Sequence, residues 1–108
     1  MDDRLTPLLA RAEAALNAGR FDEMHAALDS VFAQDPGNLA GLWTYTYGTS
    51  FTPDDPVLAR IESYARQDSL TARLRAQLLF MLGKAYDDLG RPDRAFETVV
   101  TANRLKNI

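Results

Sequence analysis

The sequence predicts an all-α fold, an α-α superhelix built from three antiparallel helix hairpins. Alanine and leucine dominate the 108 residues and β-branched residues are few, which favours helix. Apolar residues recur at intervals of three and four along most of the chain, as on one face of an amphipathic helix. Gly19 and Gly90 each separate two such segments and lie 71 residues apart, which indicates an internal repeat.

The first hairpin is predicted over residues 5–38. Thr6 is the predicted N-cap of its first helix, with Pro7 in the first turn and Gly19 in a left-handed conformation at the end. Its second helix runs from about Asp22 to Gln34, and Pro36 follows the end of that helix. The apolar faces consist of Leu5, Leu8, Leu9, Ala12, Ala15 and Leu16 in the first helix, and Met24, Ala27, Leu28, Val31 and Phe32 in the second.

The second hairpin, predicted over residues 39–75, begins with an ambiguous segment. Trp43, Tyr45 and Tyr47 alternate with threonines, which is the period of a strand. The distance between the two glycines corresponds to two repeats of about 34 residues and favours a helix here, with Asn38 as its cap. A loop over 50–56 follows, after which Asp55 caps and Pro56 opens a helix with Leu58, Ile61, Tyr64 and Ala65 inward.

The third hairpin carries the clearest repeat pattern, with helices predicted at 70–89 and 92–106. It has a set of residue types at fixed offsets: a bulky residue, Leu-Gly, Tyr, Gly and two Ala. They are Leu79, Leu82-Gly83, Tyr86, Gly90, Ala95 and Ala102. The segment 76–108 therefore resembles a tetratricopeptide repeat. With the weaker units 5–38 and 39–75, it predicts a single domain over residues 1–108. Val99 and Asn107 stand where that repeat usually has an aromatic residue and a proline.

A narrower resemblance concerns FTPDDPVLARIES at 51–63, together with RAQLLFMLGKAYDDLG and ANRLK further on. These segments are similar to the amino-terminal repeat region of bacterial tetratricopeptide sulfotransferases. In that family, a catalytic domain follows with a glycine-containing loop that binds the phosphates of the sulfate donor. The sequence has no such loop, so no catalytic residue is carried over. The resemblance implies a non-catalytic part or a stand-alone relative of such an enzyme.

Composition disfavours several classes of function. The net charge is −3 and Lys and Arg do not cluster, which argues against nucleic acid and against an anionic membrane surface. The absence of cysteine rules out disulfides and thiolate metal sites. With no signal peptide and no apolar run of about 20 residues, the protein is expected to be cytoplasmic.

The residues that could carry chemistry do not form a convincing set. His25 is the only histidine, and a metal site needs three or four ligands. Ser30 is the nearest hydroxyl, but no orienting group or oxyanion site accompanies it. Asp87, Asp88 and Asp54 are interpreted as solvated carboxylates, since the spacing of a calcium loop is absent. The sequence therefore predicts no enzyme, no metal and no cofactor.

Two surfaces are predicted to bind partners. In this repeat architecture the first helix of each pair lines a groove, which would be formed here by Trp43, Tyr47, Gln77, Phe80, Lys84 and Asp87. The alternative is that Trp43 and Phe80 pack between helices as core. The last helix turns Phe96, Val100 and Asn103 outward, as an end face within residues 92–108 that a second copy could cover.

The predicted function is a protein–protein interaction scaffold, which binds a peptide or protein partner through the groove or the end face. A structural homodimer and the sulfotransferase relation are the alternatives.

Overall fold

The computed structural model describes residues 4–107, which form six α-helices and no strand. The predicted all-α class is confirmed. The chain divides into two compact units, a first unit up to Thr49 and a second unit from Ser50. The first contains α1 (Leu5–Asn17), α2 (Phe21–Gln34) and α3 (Leu39–Gly48), and the second contains α4 (Pro56–Ala65), α5 (Ala72–Asp88) and α6 (Pro92–Lys106).

Side-chain caps fix the beginnings of α3, α4 and α5. The Asn38 side chain accepts a hydrogen bond from the Gly41 N–H at 2.8 Å, and Asp55 accepts one from the Val57 N–H at 2.8 Å. Both predicted caps are confirmed. Thr71 caps α5 and was not predicted. The predicted cap at Thr6 is wrong, because α1 already begins at Leu5 and Thr6 lies within its first turn.

The turns at Gly19 and Gly90 have the same backbone hydrogen bonds. In each, the glycine N–H donates to the carbonyl three residues earlier, at 3.1 and 3.0 Å. The N–H of the following arginine donates to the carbonyl five residues earlier, at 2.8 and 3.0 Å. This is the Schellman arrangement, and both glycines take the predicted positive φ, 74° and 73°. Because the loops are short, α1 and α5 are each followed by a helix that packs back onto them.

Replacing Gly90 by alanine is expected to lower the free energy of unfolding by about 1 kcal/mol. A Cβ at this position meets no atom within 4 Å, so the cost arises from the positive φ alone. Urea denaturation measures it. Gly90→Asn is the matched control and should cost less, since asparagine tolerates the left-handed region better. Equal stability of the alanine variant and the wild type would contradict the positive φ.

The segment with alternating aromatic and threonine residues is a helix, as the repeat spacing predicted. The two buried threonine hydroxyls donate to the carbonyls four residues earlier, Thr44 to Ala40 at 3.0 Å and Thr46 to Leu42 at 2.8 Å. The helix thus satisfies both hydroxyls without outside partners. Tyr45 lies on the side of α3 that packs against the first unit's core.

The core of the first unit is formed by small residues of α1 and larger ones of α2. One cluster consists of the buried residues Ala12, Ala15, Met24, Ala27 and Leu28, flanked by the partly buried Leu16, Phe32 and Tyr45, and Val31 and Leu42 are also buried in this unit. The small side chains of α1 allow α2 to approach closely. Of the predicted apolar faces, Ala12 and Ala15 of α1 and four residues of α2 are buried, whereas Leu5, Leu8 and Leu9 are only half-buried.

The second unit is organised around α5, which packs against both α4 and α6. Its buried apolar residues are Phe51 before α4, Val57, Leu58, Ile61 and Ala65 of α4, Ala76, Leu78, Met81, Leu82, Ala85 and Tyr86 of α5, and Ala95 and Ala102 of α6. The Arg75 guanidinium donates to the carbonyl of Ala65 and, at 2.6 Å, to that of Gln67. It thereby satisfies carbonyls that the end of α4 leaves without helical partners.

Candidate binding surfaces

The six residues of the predicted groove lie on two helices. Trp43 and Tyr47 belong to α3 in the first unit, and Gln77, Phe80, Lys84 and Asp87 belong to α5 in the second. Within α5, Gln77, Phe80 and Lys84 are half-buried, and Asp87 is exposed. The groove itself stays a prediction.

Trp43 and Tyr47 form an exposed aromatic pair on α3. They are one helical turn apart, their ring centroids are 4.7 Å apart, and the ring planes are tilted by 50°. Trp43 is 43% exposed and Tyr47 is 42% exposed, so neither is a core residue. Burial of the covered part of Tyr47 raises the pKa of its phenol above the ordinary value of 10.0. The pair presents neutral aromatic surface to solvent at physiological pH.

No charged residue belongs to α3, in contrast to the other five helices of residues 4–107. A partner that covers the aromatic pair would therefore not have to strip water from a charge on this helix, which is the costly step in burying polar surface. The surface of α3 therefore carries no charge and exposes two aromatic rings.

Lys84 is engaged within its own unit. Its ammonium forms an ion pair with Asp88 one turn later and lies 5.7 Å from the ring centroid of Phe51. The Asp88 carboxylate also accepts a hydrogen bond from the Phe51 N–H at 3.1 Å. The interpretation of Asp88 as a merely solvated carboxylate is therefore wrong. Asp88 and Lys84 together hold the start of the loop 50–55 against the end of α5.

The predicted end face lies on α6. Phe96 is 72% exposed, Val100 is half-buried and Asn103 is exposed. On the opposite side of the helix, Ala95 and Ala102 are buried. Ile108, the last residue of the predicted segment 92–108, lies outside the described residues.

His25 has a structural environment. Its Nε2 lies 2.8 Å from the Thr49 hydroxyl, and its ring meets that of Tyr45 edge to face with centroids 5.3 Å apart. Tyr45 in turn contacts Phe32 edge to face at 6.2 Å. These contacts tie the end of α3 to α2, so His25 has a packing role in the first unit.

One exposed aromatic residue is not among the predicted surface residues. Phe21, the first residue of α2, is 47% exposed. Its spacing of three and seven residues from Met24 and Leu28 places it on the buried face by periodicity, so no sequence signal distinguishes it. Its exposure follows from its position at the end of the helix. Phe21 serves below as a matched control for Trp43.

No group of three or more His, Asp or Glu side chains within residues 4–107 is placed to hold a metal ion. In the same part of the chain, every helix is too short or too polar to cross a lipid bilayer.

Comparison with known proteins gives no assignment. No family model, curated protein or solved structure matches the chain. The function therefore has to be argued from the chain's own surfaces.

Proposed function

We propose that the chain is a tetratricopeptide-like helical scaffold that binds a protein partner. The observation that carries the proposal is the exposed Trp43–Tyr47 pair on the uncharged helix α3. Tryptophan and tyrosine are the residues most enriched among those that dominate binding energy at protein interfaces.

The geometry of the pair favours binding. The two rings already contact each other, so a partner meets a surface whose side chains have lost part of their rotamer freedom before association. Their separation of one turn gives a continuous apolar strip along the helix. Such a strip suits an apolar helical or extended segment of another protein.

The tetratricopeptide arrangement of the helices is part of the same proposal. The two identical turns, 71 residues apart, support a repeat of about 34 residues. In a tetratricopeptide superhelix, α3 and α5 are both first helices of their pairs and contribute to one groove. Gln77 and Phe80 of α5 stay part of the predicted groove.

Affinity capture from the native cell tests the proposal. Partners retained by the wild type should be lost with Trp43→Ala, with a decrease in affinity of about thirtyfold, because residues of this kind each contribute about 2 kcal/mol or more. Phe80→Ala should weaken capture of the same partner if α3 and α5 share a groove. Phe21→Ala is the matched control, since it removes a similarly exposed aromatic side chain outside the predicted groove.

Fluorescence gives a second measurement on the captured partner. Trp43 is the only tryptophan, so its emission reports on this surface alone. Binding should shift the emission to shorter wavelength and protect the indole from a soluble quencher. Undiminished capture by a folded Trp43→Ala variant, or unchanged emission with the partner bound, would refute the role of α3.

A further inference from the structure

The outer face of α6 combines apolar and charged residues in a defined order. Asp93, Phe96, Glu97, Val100, Asn103 and Arg104 fall within about 120° of the helix circumference at 3.6 residues per turn. All but the half-buried Val100 are exposed. Phe96, at 72% exposure, is the most exposed large apolar residue of the described chain. Phe96 therefore offers an exposed aromatic side chain to a second surface.

The charges on this face are segregated along the helix. Asp93 and Glu97 lie in its first half, and Arg104 lies in its second half. Arg94 does not neutralise the acidic half, because its guanidinium lies 4.3 Å from the centroid of the Tyr86 ring and is directed towards α5. Within residues 4–107, neither Glu97 nor Arg104 forms an ion pair. The face therefore carries two acidic residues in its first half and one basic residue in its second half.

This order of charges is self-complementary only for an antiparallel partner. When two copies of α6 cross at Val100 about a two-fold axis, residues on either side of Val100 exchange places between the copies. Glu97 of each copy then faces Arg104 of the other. A parallel arrangement would bring like charges together and is disfavoured. Two-fold symmetry requires that one patch complement itself, and this face meets that condition.

We propose that the chain forms a two-fold homodimer through α6, with the two helices antiparallel and crossing at Val100. Phe96 provides most of the buried apolar area, and the two Glu97–Arg104 pairs set the direction and register. The Thr98 and Thr101 hydroxyls bond to carbonyls of their own helix, so they bring no unsatisfied donor to the contact. The inference rests on the proposed function, since it names the partner of one surface of the scaffold.

The dimer is expected to be weak, because two single helices bury less area than a standard interface of about 1,600 Å². Sedimentation velocity of the full chain from about 5 to 500 μM should show a concentration-dependent monomer–dimer equilibrium. Phe96→Asp should weaken association at least tenfold. The substituted side chain is exposed, and circular dichroism checks that the variant is folded.

Charge reversal tests the antiparallel register. Glu97→Arg and Arg104→Glu should each weaken the dimer severalfold, since each places like charges opposite each other. The double variant Glu97→Arg plus Arg104→Glu should restore the wild-type dissociation constant to within about threefold. Glu13→Arg is the matched control, because it makes the same charge change at an exposed position of α1.

The outcomes separate this inference from the proposed function. A wild-type chain that stays monomeric, a dimer unaffected by Phe96→Asp, or a double variant without recovery would overturn the α6 dimer. Capture through Trp43 is measured independently and could persist in each of those cases. Loss of the role of Trp43 with an intact α6 dimer would instead refute the proposed function of α3.

Discussion

Replacing Tyr86 by alanine is expected to lower the free energy of unfolding by about 3–5 kcal/mol, as for other large buried aromatic residues. The side chain is 4% exposed and lies among all three helices of the second unit. Its hydroxyl donates to Glu62 of α4 at 2.8 Å, and the Arg94 guanidinium of α6 lies 4.3 Å from its ring centroid. Removing it leaves a cavity, and it takes away the hydroxyl that donates to Glu62 and the ring that Arg94 contacts. Urea denaturation measures the loss.

Tyr86→Phe separates the ring from the hydroxyl. The ring still packs and still meets Arg94, so only the hydrogen bond to Glu62 is lost, at about 1 kcal/mol. Water can reach the partly exposed Glu62 carboxylate, which limits the cost. The pair between Glu62 and Arg94, 3.9 Å apart at the surface, is expected to add little. A phenylalanine variant as unstable as the alanine variant would contradict this division.

Alkaline pH gives an independent measurement on Tyr86. Burial first, and then the hydrogen bond and charge of Glu62, raise the pKa of the Tyr86 phenol above its ordinary value of 10.0. Above about pH 10 the unfolded chain loses this proton while the folded chain keeps it. Stability from this group is therefore complete below pH 10 and is lost as the pH rises through the folded pKa. Tyr86→Phe should flatten the decline of stability above about pH 10.

Tyr47 provides the comparison, because burial raises its pKa as well. Tyr47→Phe should remove a separate part of the alkaline decline, and the double variant should remove both parts. An unchanged pH dependence in Tyr86→Phe would show that the hydroxyl is not shielded from water.

Helix boundaries could be predicted because their causes are local in the sequence. Asn38 and Asp55 cap the helices that follow them, and Gly19 and Gly90 end the helices before them, all within a few residues. The prediction failed at Thr6, where a threonine before proline resembles a cap. There the chain becomes helical one residue earlier, at Leu5.

The contacts that distinguish the second unit could not be predicted, because they join residues distant in sequence. Asp88 accepts from the N–H of Phe51, 37 residues earlier, and Tyr86 donates to Glu62, 24 residues earlier. Periodicity places Tyr86 on the buried face but cannot select its hydrogen-bond partner. The same limit applies to Lys84. It was predicted to line a groove, and in the structure it forms an ion pair with Asp88.

From the sequence, the candidate surfaces could be predicted only as faces of single helices. The repeat register predicted that Trp43 and Phe96 point outward, and both side chains are exposed. Whether Trp43 and Phe80 belong to one groove depends on the arrangement of the two units, which no local pattern encodes. The self-complementary charges of α6 could not be inferred from the sequence, because the sequence does not show that Arg94 is directed towards Tyr86. That contact leaves the acidic half of the face unneutralised.

Gly83→Ala is expected to destabilise the packing of α5 against α6 by about 1–3 kcal/mol, although alanine is the better helix former by about 1 kcal/mol. A Cβ on Gly83 would lie 2.5 Å from Cγ2 of Val99. Val99 cannot swing aside at low cost, because a β-branched side chain has one strongly preferred rotamer in a helix. The two helices would have to separate. Thermal and urea denaturation measure the effect.

A double-mutant cycle with Val99 decides whether this close approach is the cause. Val99→Ala alone should cost about 1–2 kcal/mol through lost packing. In that background the obstructing methyl groups are absent, so Gly83→Ala should become neutral or stabilising by up to about 1 kcal/mol. The coupling energy between the two sites is then about 2 kcal/mol, because Val99→Ala relieves the cost of Gly83→Ala. Additive effects would mean that α5 and α6 do not approach each other closely at Gly83.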